Sequence, residues 1–426
     1  MPTGGAGHTA KDRLEEATGL ARAIDLDVVQ AHVVTVNDPR PGTLLGSGKV
    51  GELKALAEAL GAGLVIIDHA VSPIQQRNLE KEWGVKVLDR TALILEIFGA
   101  RAATREGRLQ VELAHLEYQR SRLVRTWTHL ERQRGGYGFL GGPGEAQIEL
   151  DRRMISERID QIRKDLDKVV RTRALHRKGR RRVPYPVVAI VGYTNAGKST
   201  LFNRLTGAAV LAKDQVFATL DPTMREVRLA SGRRIILSDT VGFISDLPTM
   251  LVAAFRATLE EVVEADLILH VRDISHAETE AQARDVERVL CELGIDLTPA
   301  ESHILEVWNK VDLLSAVTRE EAEAAARFRE RRPVLISATS GEGLDALLAA
   351  IDARLGAGDE IVTLAIPAGE GGLLNWIHEN THVLAREASA DATLSVTVRV
   401  TAAKKGQLLA RLAGAGGREA GPAGPR

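Results

Sequence analysis

The stretch VVAIVGYTNAGKSTL, residues 187–201, decides the fold of the middle of this chain. A short apolar run leads into a loop bounded by Gly192 and Gly197, and a helical pattern follows the loop. This order of strand, loop and helix, with the spacing G-x-x-x-x-G-K-[ST], is typical of a phosphate-binding loop. We therefore expect an α/β domain whose parallel strands carry ligand-binding groups at their carboxyl ends.

The residue types of this loop explain how it would hold a nucleotide. Gly192 and Gly197 let the backbone curl so that successive N–H groups point at phosphate oxygens, and the start of the next helix adds its positive end. Lys198 would reach the β- and γ-phosphates as a catalytic residue, and the Ser199 hydroxyl would ligate Mg²⁺. The residues predicted to bind the nucleotide here are Gly192, Tyr193, Thr194, Asn195, Ala196, Gly197, Lys198, Ser199 and Thr200.

A carboxylate after a later strand indicates which base is bound. Asp312 can accept two hydrogen bonds from the N1–H and N2 amine of guanine, a pair of donors that adenine lacks. Asn309 would brace this loop, the stem of Lys310 would cover the base, and a further loop after residues 334–336 would meet the guanine O6 through its backbone. The predicted base contacts are Asn309, Lys310, Val311, Asp312, Ser337, Ala338 and Thr339. The predicted ligand is therefore GTP or GDP.

Two segments between these motifs have the pattern of nucleotide-sensing loops. In the first, Thr219 is preferred over Thr223 by its place in the F-A-T motif, and it would ligate Mg²⁺ and contact the γ-phosphate. In the second, Asp239 would hold a magnesium water and the amide of Gly242 would bond the γ-phosphate, so Thr219 and Gly242 join Lys198 as predicted catalytic residues. The contacts predicted for the two segments are Phe217, Ala218, Thr219, Leu220, Asp221, Asp239, Thr240, Val241 and Gly242. Loss of the phosphate would release both loops, which makes a switch.

Length and composition limit the class of protein and the number of domains. The chain has 426 residues, of which 44% are hydrophobic and 27% charged, which is typical of a soluble protein of about three domains. We find no apolar run near the ~20 residues of a membrane span, and no signal peptide, and the single cysteine excludes an internal disulfide. These points favour a cytosolic protein.

The sequence patterns divide the chain into seven parts. The predicted divisions are a disordered N-terminus at 1–22, a small α/β domain at 23–103, a helical hairpin at 104–180, a linker at 181–186, the nucleotide domain at 187–356, a C-terminal α/β subdomain at 357–401 and a flexible tail at 402–426.

The region before the nucleotide domain alternates strand and helix patterns and then becomes helical. Residues 28–36, 64–68 and 85–88 have strand patterns, so we expect a largely parallel sheet. Apolar residues at steps of three and four then predict two long helices, roughly 106–133 and 145–178, which pair as an antiparallel hairpin. About 30 helical residues span about 45 Å, so the connecting loop would stand away from the body.

The loop that joins these two helices is predicted to bind RNA. Residues 134–144 contain six glycines beside aromatic and apolar side chains and nearby arginines. Glycine allows close approach, aromatic rings stack on bases, and arginines bind phosphate, a combination that suits irregular RNA. The candidate contacts are Arg132, Arg134, Gly135, Gly136, Tyr137, Phe139, Leu140, Arg152 and Arg153. The alternative is a flexible cap that packs on its own domain.

With these motifs in place, the nucleotide domain resembles P-loop GTPases of the Era and Obg type, and the N-terminal half is similar to the HflX family. The stretches that carry the resemblance are residues 46–50, 75–80, 89–98, 105–114 and 134–153. Phe243 stands where many GTPases have a glutamine that orients the attacking water, and this too fits the family. We therefore expect slow intrinsic hydrolysis that a large partner accelerates.

The resemblance implies a cytoplasmic, monomeric GTPase that binds the large ribosomal subunit and its rRNA. It further implies that the hairpin lies near the peptidyl-transferase region and that members split or rescue stalled or idle 70S ribosomes under stress. Two alternatives remain at this point. The chain is a nucleotide-gated RNA-binding module with incidental hydrolysis, or it acts in ribosome assembly or tRNA modification.

Overall fold

The structure is a computed structural model that describes residues 8–133, 143–180, 185–207, 217, 223–248, 251, 256–298, 303–367, 369–388 and 393–420. It confirms the predicted α/β fold class, with a parallel-stranded nucleotide domain between an N-terminal part and a C-terminal subdomain. The N-terminal elements are α1 (Ala10–Arg22), α2 (Ser47–Leu60), β1 (Leu64–Ile67), α3 (Pro73–Trp83), β2 (Lys86–Asp89), α4 (Arg90–Arg101), α5 (Arg105–Gln133) and α6 (Pro143–Arg180).

The N-terminal part corrects two predictions. The segment expected to be disordered contains α1, which begins at the N-cap Thr9 and buries Leu20 and Ala21 against other elements. Conversely, residues 28–36 are described but have no strand. Val29 and Val33 are each 54% exposed, because no strand in the described part of the chain pairs with this segment. The sheet formed by the described residues of this domain has two parallel strands, β1 and β2.

Local signals explain the helices that were predicted in this part. Ser72 and Gln75 form a reciprocal capping box at the start of α3, and Gly84 ends that helix in the left-handed conformation. Asp89 caps α4 by accepting a hydrogen bond from the N–H of Ala92. The run from Gly46 to Lys49 is the first turn of α2 with its N-cap.

The two long helices α5 and α6 pack against each other as the heptad pattern predicted. Leu113, Ile159 and Ile162 form the buried seam between them. Two ion pairs, each 2.7 Å long, cross the same interface, Arg158 to Glu112 and Arg163 to Glu117. The connecting loop, residues 134–142, lies outside the described residues.

A six-stranded sheet forms the centre of the molecule. Its order is β4-β5-β3-β6-β7-β8, and every neighbouring pair is parallel except β4 with β5. Its elements are β3 (Val187–Gly192), α7 (Lys198–Thr206), β4 (Thr223–Arg228), β5 (Arg234–Asp239), α8 (Arg256–Val263), β6 (Leu267–Asp273), α9 (Thr279–Glu292), β7 (Ile304–Asn309), a 3-10 turn (Val311–Leu313), α10 (Ala316–Phe328), β8 (Val334–Leu335) and α11 (Leu344–Leu355). The parallel strands place the described nucleotide motifs, which follow β3, β5, β7 and β8, at one edge of the sheet.

The C-terminal subdomain extends past its predicted end. Its elements are β9 (Asp359–Pro367), α12 (Gly371–Asn380), β10 (His382–Ala388), β11 (Thr393–Thr401), α13 (Ala402–Gly414) and β12 (Arg418–Ala420). The tail predicted to be flexible from residue 402 is therefore ordered through α13 and β12. Leu408 and Leu412, one turn apart, are buried beneath the antiparallel sheet, and this burial stabilises a helix whose sequence is rich in small residues.

One hydrophobic cluster joins the N-terminal part to the nucleotide domain. Leu20 of α1 and Phe98 of α4 belong to the same buried cluster as Phe217 and Phe243. The Phe98 and Phe217 rings meet edge to face with centroids 4.7 Å apart. None of the described helices has the length and hydropathy needed to cross a membrane.

Candidate functional site

The loop between β3 and α7 has a backbone that requires glycine at both ends. Gly192 has φ 153°, and a Cβ there would lie 2.1 Å from the carbonyl oxygen of Val271. Gly197 has φ 90°, and its Cβ would lie 2.2 Å from Nδ2 of Asn309. Between them Asn195 is also left-handed, with φ 59°. The loop therefore curls in the way that turns backbone N–H groups toward a bound anion.

Lys198 is buried at the first turn of α7. Its Nζ donates a hydrogen bond to the carbonyl of Tyr193 at 2.7 Å. Burial lowers the pKa of Lys198 to about 8, against the opposing effect of the Asp239 carboxylate. An ammonium that is costly to desolvate gains most from an anionic ligand, which is the chemistry of a phosphate-binding lysine.

Ser199 and Asp239 come together at the end of β5. The Ser199 hydroxyl donates to Oδ2 of Asp239 at 2.8 Å, and Asp239 is fully buried. Hydroxyl and carboxylate oxygens are the ligands that Mg²⁺ prefers, so this pair fits the predicted ion. The neighbouring Thr240 hydroxyl is used structurally, because it donates to the carbonyl of Ile190 at 2.6 Å.

The segment after Asp239 lies directly on the phosphate-binding loop. The N–H of Thr194 donates to the carbonyl of Phe243 at 2.7 Å, and the N–H of Phe243 donates to the carbonyl of Gly192 at 3.1 Å. A Cβ on Gly242 would lie 2.8 Å from Cγ2 of Thr194 and 3.1 Å from Nζ of Lys198. The Phe243 side chain is fully buried. It therefore anchors this segment in the hydrophobic core, and it has no polar group that could orient a water molecule.

The predicted base loop is tied to the phosphate loop by Asn309. Its Nδ2 donates to the carbonyl of Ala196 at 2.8 Å, and its Oδ1 accepts from the N–H of Ala338 at 2.9 Å. Asn309 thus braces three loops at once. Lys310 has φ 68°, and its Nζ forms a 2.7 Å ion pair with Asp273. Asp312 is exposed, so its carboxylate is accessible to a base.

Some of the remaining predicted contacts are described by the structure and others are not. Phe217 is buried against Phe98, so its side chain faces the N-terminal part of the chain. Val241 and Val311 are buried and Thr339 is exposed, while Thr200 lies in the first turn of α7. The predictions for Ala218, Thr219, Leu220 and Asp221 lie outside the described residues.

The predicted RNA contacts are only partly described. Arg152 and Arg153 lie on the exposed surface of α6, near the end that carries the loop. Arg152 approaches Glu149 at 3.9 Å, and Arg153 pairs with Glu157 at 3.0 Å. Arg134, Gly135, Gly136, Tyr137, Phe139 and Leu140 lie outside the described residues, as does the side chain of Arg132.

Sequence reasoning missed three residues that position this site. Asp273 orients Lys310, and its signal was its place at the end of the apolar strand β6. Glu16 and Ser245 bond the side chain of Tyr193 from opposite domains. No local pattern identifies Glu16, because its partners lie more than 70 residues away.

Four family models match consecutive parts of the chain. Residues 11–99 match the GTP-binding GTPase N-terminal model, and residues 101–180 match its middle region. Residues 187–310 match the 50S ribosome-binding GTPase model, and residues 323–421 match the HflX C-terminal domain. The GTPase HflX of Magnetococcus marinus is 50% identical over 384 residues, which cover 90% of this chain and 87% of that relative.

The chain belongs to the HflX family of GTPases. The GTPase HflX of Escherichia coli is 43% identical over 390 residues, covering 91% of this chain and 89% of that protein. This membership confirms the family resemblance seen in the sequence. It also confirms that this HflX-family chain is an enzyme that binds and hydrolyses GTP.

Solved structures of GTP-binding proteins are also similar to the chain. One is a GTP-binding protein from Sulfolobus solfataricus in complex with GDP, at 25% identity and a TM-score of 0.44, covering 81% of this chain and 96% of that one. Era from Aquifex aeolicus, bound to GDP and AlF4-, has 28% identity and a TM-score of 0.32, covering 39% of this chain and 55% of that one.

Proposed function

We propose that this protein is a GTP-controlled factor of the large ribosomal subunit that splits or rescues stalled or idle 70S ribosomes under stress. The observation that carries the proposal is the long helical hairpin of α5 and α6, which precedes the nucleotide domain in the chain. The description of the family model that matches residues 187–310, a 50S ribosome-binding GTPase, supports it. The expected location is the cytoplasm, on ribosomes.

The nucleotide site would work through groups that hold charge and exclude water. Lys198 and the N–H groups of the phosphate loop would bind the β- and γ-phosphates, and the amide of Gly242 would add a further bond to the γ-phosphate. Mg²⁺, held by Ser199, Thr219 and a water on Asp239, would neutralise phosphate charge when bound. Asp312 would select guanine.

Phe243 accounts for the expected kinetics. Its side chain is fully buried beneath the Gly242 segment and cannot orient an attacking water. The protein alone would therefore hydrolyse GTP slowly, and the ribosome would accelerate turnover by ordering the site. A basal rate that ribosomes fail to raise would contradict this assignment.

The hairpin would contact ribosomal RNA through its glycine-rich end. Arg152 and Arg153 are exposed on α6 beside that end, where they can bind phosphate groups. Nucleotide state would control this contact, because GTP binding changes the loops against which the N-terminal part packs.

Co-sedimentation with ribosomes and separated subunits tests the proposal directly. The full-length protein is incubated with GTP, a slowly hydrolysed GTP analogue or GDP, and sucrose gradients then report 70S, 50S and 30S peaks. We expect the analogue to give the strongest 50S binding, and GTP to convert 70S ribosomes to subunits. Binding that is equal with all three nucleotides would overturn nucleotide control.

Two variants separate the parts of this function. Replacement of residues 134–144 by a short Gly-Ser turn removes 50S binding and leaves GTP affinity intact. Lys198→Ala weakens GTP binding and abolishes splitting. If Lys198→Ala still splits ribosomes normally, the chain is an RNA-binding module with incidental hydrolysis. If precursor subunits bind and mature ribosomes do not, the chain acts in assembly.

A further inference from the structure

The side chain of Tyr193 points away from the phosphate-binding loop to which it belongs. Its hydroxyl donates a hydrogen bond to the Glu16 carboxylate on α1 and accepts one from the N–H of Ser245 at 2.7 Å. Tyr193 and Ser245 are 7% and 3% exposed, so water competes little for these bonds. The nucleotide loop is therefore joined by a side chain to the first helix of the protein.

The carboxylate of Glu16 is the point where three segments meet. One oxygen accepts from Tyr193, and the other accepts from the Ser245 hydroxyl at 2.5 Å and from Nη2 of Arg90 at 2.9 Å. Burial alone would raise the pKa of Glu16, but the charge of Arg90 and the hydrogen bonds from Ser245 and Tyr193 lower it below its ordinary value. Glu16 is therefore held as the anion inside the domain interface.

Arg90, at the start of α4, completes the cluster from the N-terminal domain. Its Nη2 donates to the carbonyl of Ser245 at 2.7 Å and to the Ser245 hydroxyl at 2.9 Å. Its Nη1 donates to Asp68 at 2.5 Å. The N–H, carbonyl and hydroxyl of Ser245 are thus all bonded within this cluster. A residue of the nucleotide domain is fixed by two side chains of another domain.

Ser245 lies three residues after Gly242, in the segment that would sense the γ-phosphate. Through Ser245 the cluster holds this segment against the phosphate loop, where Phe243 makes two backbone hydrogen bonds. Gly242 packs closely on Thr194 and Lys198 in this arrangement. Of the two nucleotides only GTP has the γ-phosphate that the Gly242 amide would bond. A restraint that opposes movement of this segment toward the γ-phosphate therefore lowers the affinity for GTP and leaves the affinity for GDP largely unchanged.

We propose that Glu16 is a positioning residue that keeps the Gly242 segment in its resting place, so that the protein favours GDP over GTP until α1 is displaced. This inference rests on the proposed function, which assigns the γ-phosphate contact to Gly242. Tyr193 and Ser245 transmit the effect, because Glu16 itself does not reach the nucleotide.

The arrangement couples nucleotide state to the position of the N-terminal domain. A partner that draws α1 away from the cluster releases Ser245 and raises the affinity for GTP. By thermodynamic reciprocity, GTP raises the affinity for that partner by the same factor. The large subunit is a partner of this kind, because it would engage the hairpin of the same N-terminal half.

The test measures dissociation constants of the full-length protein for GDP and for a non-hydrolysable GTP analogue by titration calorimetry. Glu16→Gln removes the charge and keeps the volume, and Tyr193→Phe removes only the hydroxyl. Each variant is expected to shift the ratio of the two constants toward the analogue by about fivefold or more. The double variant shifts it by less than the two single changes combined, because both variants alter the bond between the Tyr193 hydroxyl and the side chain of residue 16.

The matched control is Glu15→Gln, the same chemical change one residue away on α1. Glu15 is 65% exposed and approaches Lys11 only at 3.9 Å. The ratio of the two dissociation constants of this variant therefore stays at the wild-type value. If Glu16→Gln fails to fold, Tyr193→Phe carries the test. An unchanged ratio in a folded variant, or a shift toward GDP, overturns the inference. A wild-type protein without guanine preference overturns the proposed function instead.

Discussion

At the scale of single residues, the site depends on a few atoms whose neighbours come from other loops. Gly197 is required because Asn309 occupies the space that a side chain would fill. Asn309 in turn bonds both the phosphate loop and the loop of Ala338. A change at one glycine therefore disturbs the phosphate and base contacts together.

Gly197→Ala is expected to lower the affinity for GDP by about tenfold or more. The new methyl group displaces Asn309, and a left-handed backbone adds strain of roughly 1–2 kcal/mol. Gly207→Ala is the matched control, because Gly207 is also left-handed, with φ 65°, but no described atom lies within 4 Å of the position that its new methyl group would take. Calorimetric titration with GDP checks both, and equal affinities of the two variants would contradict the bracing role of Asn309.

The lowered pKa of Lys198 predicts proton uptake on nucleotide binding. With a folded-state pKa of about 8, Lys198 is largely neutral at pH 9, and an adjacent phosphate restores its charge. GDP binding should therefore take up close to one proton at pH 9 and almost none from this group at pH 7, and affinity should fall as the pH rises above 8. Calorimetry in buffers of different ionisation enthalpy measures the uptake.

At the scale of elements, a narrow apolar seam joins α5 to α6 where the side chains of the hairpin are described. Leu113, Ile159 and Ile162 are buried between α5 and α6, and the pairs Arg158–Glu112 and Arg163–Glu117 flank them. The arginines of these pairs are about half exposed, so each ion pair contributes little. The apolar seam therefore sets the stability of the arm.

Ile159→Ala should destabilise the hairpin by about 2–4 kcal/mol, because it leaves a cavity in the seam. Hydrogen exchange is expected to accelerate in α5 and α6 while GDP affinity stays unchanged. Met154→Ala, on the same helix, is the control, because Met154 is 59% exposed. Equal protection in the two variants would show that the seam does not stabilise the arm.

At the scale of the whole molecule, the N-terminal segment fastens two domains together. His8 contacts Glu278 at 2.5 Å and Asp285 at 2.7 Å. Glu278 is the N-cap of α9, and Asp285 lies within that helix. Further along the chain, α1 buries Leu20 in the cluster that contains Phe243. This segment therefore crosses from the N-terminal part to the nucleotide domain.

His8→Ala is expected to reduce thermal stability more at pH 6 than at pH 8.5. Burial lowers the pKa of His8, but hydrogen bonds to Asp285 and Glu278 outweigh it and raise the pKa above 6.5. A group with a raised pKa in the folded state contributes its full stability below pH 6.5 and loses it as the pH rises through the folded-state value. The exposed His32 provides the control variant His32→Ala, and melting curves that shift equally at both pH values would contradict the contact.

The sequence by itself determined the parts of this protein that have a local signature. The glycine-bounded phosphate loop, the base motif ending in Asp312 and the heptad pattern of α5 and α6 each depend on residues close together in the chain. The family membership follows from the same motifs. These features could be predicted because spacing along one strand, loop or helix decides which side chains share a face.

Only the tertiary structure decided the other features of the fold and the site, because contacts between residues far apart in the chain stabilise them. α1 and α13 were predicted to be disordered or flexible, yet each forms a helix by burying an apolar face against distant elements. Residues 28–36 have the apolar pattern of a strand, but none of the described strands lies beside them. The Tyr193 side chain turns toward Glu16 rather than the nucleotide site, because a carboxylate, an arginine and a serine from three separate segments come into contact there. No local sequence pattern predicts a contact between segments so far apart in the chain.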